Sequence, residues 1–512
     1  MGEQMATRRK RLSATIERTK KLLKAFLHSK RATVGLSIIV FFVAIGVFAP
    51  LITPYNPTLD IWLAGSGAIH ARPSWFMLLP GGETLSENLA PVSDPEFTAP
   101  SLLQNWNVDS SSPDITVEYT SVIGKDGSAL ITYYRKKETT PQKATIRLSI
   151  DFNYPYHGPP ARFASSIKIM IEGSKDVPIE PLVFVEDNTR QTRYDWGFGS
   201  TWKNANFTKT TTKWKVPTPP IYSSTELHVR KSRFNTESDL GAFMFAEAGN
   251  YTFGLEITFW DLPINAGKDV KVSMYVDELD IEFYGTAFGI LGCDWQGRDI
   301  FTQLIYGARI SITVGLLSAT ISVSLGLILG LVAGYIGGAI DEVLMRLTDA
   351  LLVLPGLPLL IVLIAVLGTS VFNLIIIIGF LGWMGFARIV RSQVLSLKER
   401  PFIEAARAIG AGKSHIIFKH IIPNVMSLVY VSLATSVPAA ITAEAALSWL
   451  GYFDPYIMSW GRMLNDVQLH SGYMDWWWVG PPGLCIAAVS VSFILLGYAL
   501  DQILNPRLRV RR

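Results

Sequence analysis

Few residues of this 512-residue chain are placed to do chemistry, and those that are lie in or beside long apolar runs. Gly410-Ala411-Gly412-Lys413-Ser414 ends in the Gly-Lys-Ser of a phosphate-binding loop. Such a loop needs an earlier glycine, which would fall at Arg407, and a preceding β-strand; the sequence offers neither, so nucleotide binding is rejected. Asp349 and Glu444 are carboxylates in apolar surroundings, where ionisable groups are costly and commonly functional. Asp349 lies three residues after Arg346, so a structural ion pair on one helix face competes with a functional role as a gate. Glu444 either meets a substrate amine or docking partner near the outer end of its run, or packs with Ala443, Ala445 and Ala446. Cys293 and Cys485 supply neither a disulfide framework nor a zinc-binding spacing; one bridge and two buried thiols both stay open. No catalytic constellation and no metal site is expected. Asn206-Phe207-Thr208 and Asn250-Tyr251-Thr252 fit the glycan-acceptor pattern.

The elements that must position these residues are mostly membrane spans. Hydrophobic residues make up 49% of the chain and charged residues 17%, a balance poor in charge for a soluble protein. A net charge of +4, with no basic aromatic groove, argues against nucleic-acid binding. Crossing a bilayer takes about 20 apolar residues in a helix. Residues 34–52, 310–340, 421–443 and 476–500 meet that test, and 350–387 is long enough for two spans separated at Gly368-Thr369-Ser370. The total is six, with Pro355 and Pro358 expected to kink the third and shape a path. Gly326, Gly330 and Gly334 recur every four residues and suit close helix packing in the second. The first run has too long an apolar core and too extended a basic head for a signal peptide, and it is read as an anchor. The basic amino terminus, the 388–419 connection and the Arg507–Arg512 tail are separated by even numbers of spans and share the cytoplasmic side. The Gly451–Asp475 connection and the long segment after the first span then lie outside.

That long segment alternates Val, Ile, Tyr and Phe with polar residues, most plainly at 115–119, 144–150, 251–259 and 270–284. Gly124-Lys125-Asp126-Gly127 is a turn signal between strands. An antiparallel β-sandwich of jelly-roll type is expected, with its leading part, Tyr55 to about Pro113, loosely ordered. Trp196, Trp202 and Trp214 serve either as core and rim or as platforms for sugar rings.

The connection between the fourth and fifth spans is amphipathic and too polar to cross a bilayer. Glu404, Ala405 and Ala406 favour a helix whose small side chains let a partner approach, and Gly410 to Gly412 permits a bend into a second short helix. With Gly410 following Ala406 by four residues, and with Ile422-Pro423 at the next span, this segment resembles the coupling loop of ATP-binding-cassette (ABC) importer permeases. Gly292-Cys293-Asp294-Trp295-Gln296-Gly297-Arg298-Asp299, Ile305-Tyr306-Gly307-Ala308-Arg309, Arg388-Ile389-Val390-Arg391 and Ser459-Trp460-Gly461 further resemble the second permease subunit of the dipeptide and oligopeptide branch, whose relatives include nickel and oligosaccharide importers. Cys293 stands where that branch has Thr.

The resemblance covers 34–53 and 288–509 and leaves the β segment unmatched. It implies a type I permease fold of six transmembrane helices, with an extracellular all-β sandwich inserted between helices 1 and 2. The expected layout is a basic cytoplasmic 1–33, a first helix at 34–53, a β domain at 54–288, and a helical domain at 289–512 with its coupling loop at 396–424. It also implies a multi-pass plasma-membrane protein with both termini cytoplasmic. Its partners would be a homologous second permease, two ATP-binding subunits that hold ATP and magnesium, an extracellular solute-binding protein, and membrane lipid. ATP hydrolysis belongs to those partners, and the chain itself needs no cofactor. Peptides are the implied cargo and oligosaccharides the alternative. A membrane-anchored glycan-binding or glycan-active protein is the rival from another class, and it leaves five later spans without purpose.

Overall fold

The computed structural model describes residues 29–59, 67–121, 127–173, 176–196, 221–223, 240–470 and 472–504. Residues 1–28 of the basic head, Gly124 to Asp126 of the turn signal, Trp202, Trp214, Asn206 and the Arg507–Arg512 tail lie outside them, as does the side chain of Trp196. The chain divides into two units, Met1–Leu59 with Ile300–Arg512, and Asp60–Asp299.

In the unit Asp60–Asp299, alternation produces the strands β1 (Asn107–Ser110), β2 (Ile115–Thr120), β3 (Ser128–Arg135), β4 (Lys143–Tyr154), β5 (Arg162–Gly173), β6 (Ile179–Asp187), β7 (Thr192–Trp196), β8 (Ile221–Ser223), β9 (Gly249–Trp260) and β10 (Val270–Tyr284). The described strands form two five-stranded antiparallel sheets ordered β1-β4-β9-β6-β7 and β2-β3-β10-β5-β8. All four segments read from the sequence as strands fall on β2, β4, β9 and β10. Period-two patterning sends Phe253, Leu255, Ile257 and Phe259 of one sheet, and Val272, Met274 and Val276 of the other, into a single core. Between β3 and the segment after β9, Asp261 accepts from the Tyr133 hydroxyl at 3.0 Å and from Asn265 at 2.8 Å, and it pairs with the fully buried Arg135. The described residues 67–113 of the leading part are better packed than its Pro, Gly and Ser content suggests. Phe97 and Trp106 are buried in the core, and Leu89 exchanges backbone bonds of 3.0 and 2.8 Å with Phe283.

Among the described residues of the other unit, five helices are long and apolar enough to cross a membrane, or six if a bent pair is counted as one span. They comprise α1 (Lys30–Ile52), α2 (Ile300–Ile336), α5 (Val371–Leu381) running into α6 (Trp383–Lys398), the stretch Lys413–Trp449, which ends in α9 (Ile422–Trp449), and α11 (Trp476–Leu504). The bent pair is α3 (Gly338–Val353) and α4 (Gly356–Leu367), set at 92°. The bend falls at Pro355, where a kink is expected, and is sharp enough to divide the third run into two helices, with Pro358 inside the second. Pro355 is the N-cap of α4, with ψ at 118°, because its ring forbids continuation of α3 and starts a new helix readily. The break at Gly368 to Ser370 falls where the sequence places it, with Ser370 capping α5 by accepting from Asn373 N at 3.2 Å. The glycine stripe of α2 meets α6: a Cβ at Gly330 would lie 2.6 Å from Ala387 O and one at Gly334 2.8 Å from Val394 Cβ. That close approach is what small residues at this spacing provide.

Candidate functional site: an amphipathic hinge between the spans

After α6 the chain forms α7 (Pro401–Ala408), turns, and resumes as α8 (Lys413–Ile416). Pro401 occupies the first helical position, where its missing N–H costs nothing, and Glu404 lies in the first turn, favourable to the helix dipole. The helix ends in a reciprocal cap, with Gly410 N–H donating to Arg407 O at 2.9 Å and Ala411 N–H to Ala406 O at 3.0 Å. These are the two bonds of a Schellman motif, and they require Gly410 at φ +84°, a conformation glycine adopts without strain.

The hinge has two faces. Ile403 and Ala406 point inward and are buried; Ile403 shares a cluster with Val394 and Leu397 of α6 and Ile416 of α8. Glu404, Ala405 and Arg407 face outward, and Phe402, Ile409 and Phe418 are exposed although apolar, Ile409 at 86%. Following α8, Ile417–Ile421 widens into a π-turn in which Ile422 N–H reaches back to Ile417 O. Pro423 accounts for the widening, since it has no N–H and its ring crowds the carbonyl four residues back. The six hinge residues read from the sequence, Glu404, Ala405, Ala406, Gly410, Ile422 and Pro423, therefore lie in one continuous helix-turn-helix, with Ala406 inside and Glu404 and Ala405 outside. Gly412 caps a helix of four residues and follows α7, not a strand, consistent with rejecting a phosphate loop there.

The hinge connects to the bent pair through α6. Arg391 donates to Asp341 of α3 at 2.5 and 2.6 Å, and Arg388 pairs with Asp349 of α3. This corrects the expected Arg346–Asp349 pair, because Arg346 instead bonds Glu342 one turn back. The i,i+4 partner is within easy reach along α3, while Asp349 faces α6. A cavity of about 230 Å³ lies beside the bend, lined by Ser318 and Ser322 of α2, Gly356 and Leu360 of α4, and Ser436 and Ala440 of α9 among others.

Glu444, on α9, is buried and not available to a substrate amine. It accepts hydroxyl bonds from Ser459 at 2.7 Å, Ser448 at 2.8 Å and Ser311 at 3.5 Å. Ser459 in turn caps α10 (Trp460–Leu469), accepting from Arg462 N at 3.2 Å, so one carboxylate ties α2, α9 and α10. This helix sits in the connection that the sequence reading left without structure. Its signal was present in Ser459 as an N-cap followed by Trp460, Met463 and Val467 on one face, all now buried. Asn250 lies exposed within β9, its side-chain oxygen accepting from Asn153 at 2.9 Å, and the Thr252 hydroxyl of its acceptor triplet donates to Asp151 at 2.5 Å. Cys293 and Cys485 are both free thiols.

Two family models match the chain. Residues 326–510 match the binding-protein-dependent transport system inner membrane component, and residues 18–69 match the N-terminal transmembrane domain of oligopeptide transport permease C. The chain is 40% identical over 219 residues to the oligopeptide transport system permease protein OppC of Bacillus subtilis, covering 43% of this chain and 72% of that one. It is 41% identical over 221 residues to the dipeptide transport system permease protein DppC of the same organism, covering 43% and 68%. It is 39% identical over 222 residues to OppC of Haemophilus influenzae, covering 43% and 71%. A solved structure of the MetNI methionine ABC transporter is matched at 18% identity and a TM-score of 0.30, over 41% of this chain and 97% of that one. A galactotriose complex of the carbohydrate-binding module TmCBM61 is matched at 12% identity and a TM-score of 0.21, over 38% and 97%. Neither score carries weight for fold or ligand. The hinge and the helices around it fall within the first family match, α1 falls within the second, and the chain belongs to the inner-membrane permease family of binding-protein-dependent transport systems, in its oligopeptide and dipeptide branch.

Proposed function

We propose that the chain is one permease subunit of an ATP-driven peptide importer, forming half of a translocation path with a homologous second permease. The peptide cargo is carried over from the names of its relatives. The observation that bears most on the mechanism is the hinge: a short helix clamped on its inner face, ending at a fixed glycine turn, and presenting Phe402, Ala405 and Ile409 outward. Exposed apolar residues of this kind suit docking to a soluble partner. Separate ATP-binding subunits, which carry ATP and magnesium, press on Glu404 to Pro423. α6 transmits the displacement to α3 through Asp341 and Asp349, and the bend at Pro355 repositions α4 at the wall of the serine-lined cavity. Differential contacts in the two states then bias an inward-to-outward change. The amino terminus, the hinge and the carboxyl terminus are cytoplasmic, while the β unit is extracellular, where a solute-binding protein delivers cargo.

Reconstitution with the second permease and ATPase subunits in proteoliposomes tests this reading. ATP-dependent uptake of labelled oligopeptides, unaffected by excess oligosaccharide, is the expected result. Uptake of oligosaccharides alone would reassign the cargo. Failure to co-purify any ATPase subunit in mild detergent would count against transport altogether.

A further inference from the structure

Within the β unit, the stretch Ser74-Trp75-Phe76-Met77-Leu78 forms one 3₁₀ turn and is followed by Leu79 and Pro80. Five apolar side chains in succession should turn inward in a water-facing domain, yet Leu78 is 86% exposed, Leu79 45% and Trp75 37%. The exposure is built in. Gly82 lets the chain fold back under the turn, since a Cβ there would meet Phe76 O at 2.2 Å, and Gly82 N–H closes on Leu79 O at 2.9 Å. The Trp75 indole N–H donates to Ile290 O at 3.0 Å, Ser74 N–H to Gly289 O at 2.9 Å and Phe288 N–H to Arg72 O at 2.7 Å. These bonds hold the turn against the last segment of the unit, where Ile290 is itself 56% exposed.

Ile290 is ten residues from Ile300, the first residue of the span α2. Half of that connector is a closed turn: Asp294 N–H donates to Arg298 O at 3.0 Å, and the buried Arg298 guanidinium bonds the Asp294 carboxylate at 2.6 and 2.7 Å. A hydrophobic patch with an indole at its edge therefore lies ten residues along the chain from a membrane-crossing helix.

We propose that Trp75, Leu78, Leu79 and Ile290 form a membrane-interface anchor that seats the β unit in the headgroup region of the bilayer its own spans cross. Trp concentrates at that depth because its ring is apolar and its N–H polar, and here the N–H is already satisfied by Ile290. Leu78 and Leu79 enter the acyl boundary, and Arg72, exposed in the same stretch, reaches phosphate level. A patch of this composition is uncommon on a surface facing only water.

The test uses the full chain in phosphatidylethanolamine–phosphatidylglycerol nanodiscs, carrying Cys485→Ser so that a fluorophore reports only from an introduced cysteine. Cys293 does not compete, because it is buried and burial pushes its thiol well above the usual range. Leu78→Cys and, independently, Ile290→Cys are compared with Glu138→Cys in the exposed turn between β3 and β4. The expected result is a several-fold higher ratio of quenching by a lipid nitroxide placed high on the acyl chain to quenching by aqueous iodide at residues 78 and 290 than at 138. Equal ratios would overturn the proposal by showing water. Shielding from both quenchers would overturn it by showing a protein cover.

Discussion

Substituting Gly410 separates backbone conformation from every other property of the hinge. Among the described residues, nothing beyond the glycine's own chain neighbours lies within 4 Å of where a Cβ at this position would sit, so Gly410→Ala introduces no clash with them and removes no contact. What it changes is the cost of φ +84°, which an L-residue meets at roughly 1–2 kcal/mol. A cost of ~1 kcal/mol lowers the population of the capped hinge about fivefold relative to uncapped forms. Gly410→Asn should be milder, because Asn tolerates the left-handed region and appears at this cap position. Gly410→Pro is the severe case: its ring fixes φ near −65° and deletes the N–H that bonds Arg407 O, so the two helices lose their fixed angle. Reconstituted transporter assayed for uptake and ATP hydrolysis together should show transport per ATP falling in the order Gly, Asn, Ala, Pro, with the Pro variant hydrolysing ATP without uptake. Full uptake by the Pro variant, or an Ala variant better coupled than Asn, would refute the reasoning.

Other expectations follow from the same geometry. Asp341→Arg and Arg391→Asp should each lower uptake more than hydrolysis, and the double reversal should recover much of the loss because the pair at 2.5 Å is rebuilt in the opposite sense; a double variant no better than the singles would break the proposed link from α6 to α3. Glu444→Ala leaves three hydroxyls without their acceptor and should lower thermal stability by about 1–3 kcal/mol, whereas Glu444→Gln keeps an acceptor for them and should lie near wild type in a melt of the detergent-solubilised chain. In the β unit, burial pushes Asp280 up to about 7, with the nearby Glu282 adding to the shift. The folded state then holds a proton that the unfolded state releases near pH 4, so folded stability from this group falls as pH rises from about 4 to 7. Asp280→Asn should flatten that part of the stability profile and leave the variant more stable than wild type at pH 8; an unchanged slope in hydrogen exchange across β10 would contradict it.

Much of the fold is legible because it depends on local pattern. The uncharged runs locate the spans, the break at Gly368 to Ser370 is visible as a turn between apolar stretches, and alternation marks β2, β4, β9 and β10. The hinge is equally plain, since its cap depends on a glycine at one fixed distance from a helix. What sequence pattern does not carry is the choice between partners that are near in sequence and partners that are near in space. Asp349 has Arg346 three residues away, yet it pairs with Arg388 on another helix. The sequence leaves Glu444 open between meeting a substrate or partner and packing within the helices, because its three serines come from positions 311, 448 and 459. Pro355 marks the bend at Leu354-Pro355 but not its size of 92°, because hydropathy is as continuous across two short helices as along one kinked helix. Phe97 and Trp106, buried in a segment of loop-like composition, show that two aromatic anchors can order a stretch whose average character predicts looseness.

The central claim, that a cytosolic motor grips the hinge, is tested most directly by the sidedness of Ala405, which is exposed and small. An Ala405→Cys variant that also carries Cys485→Ser, treated with a membrane-impermeant maleimide, should label in inside-out vesicles and not in intact cells, and added ATPase subunits should block the labelling. Labelling from outside intact cells, or inside-out labelling that the ATPase subunits leave unchanged, would contradict the account.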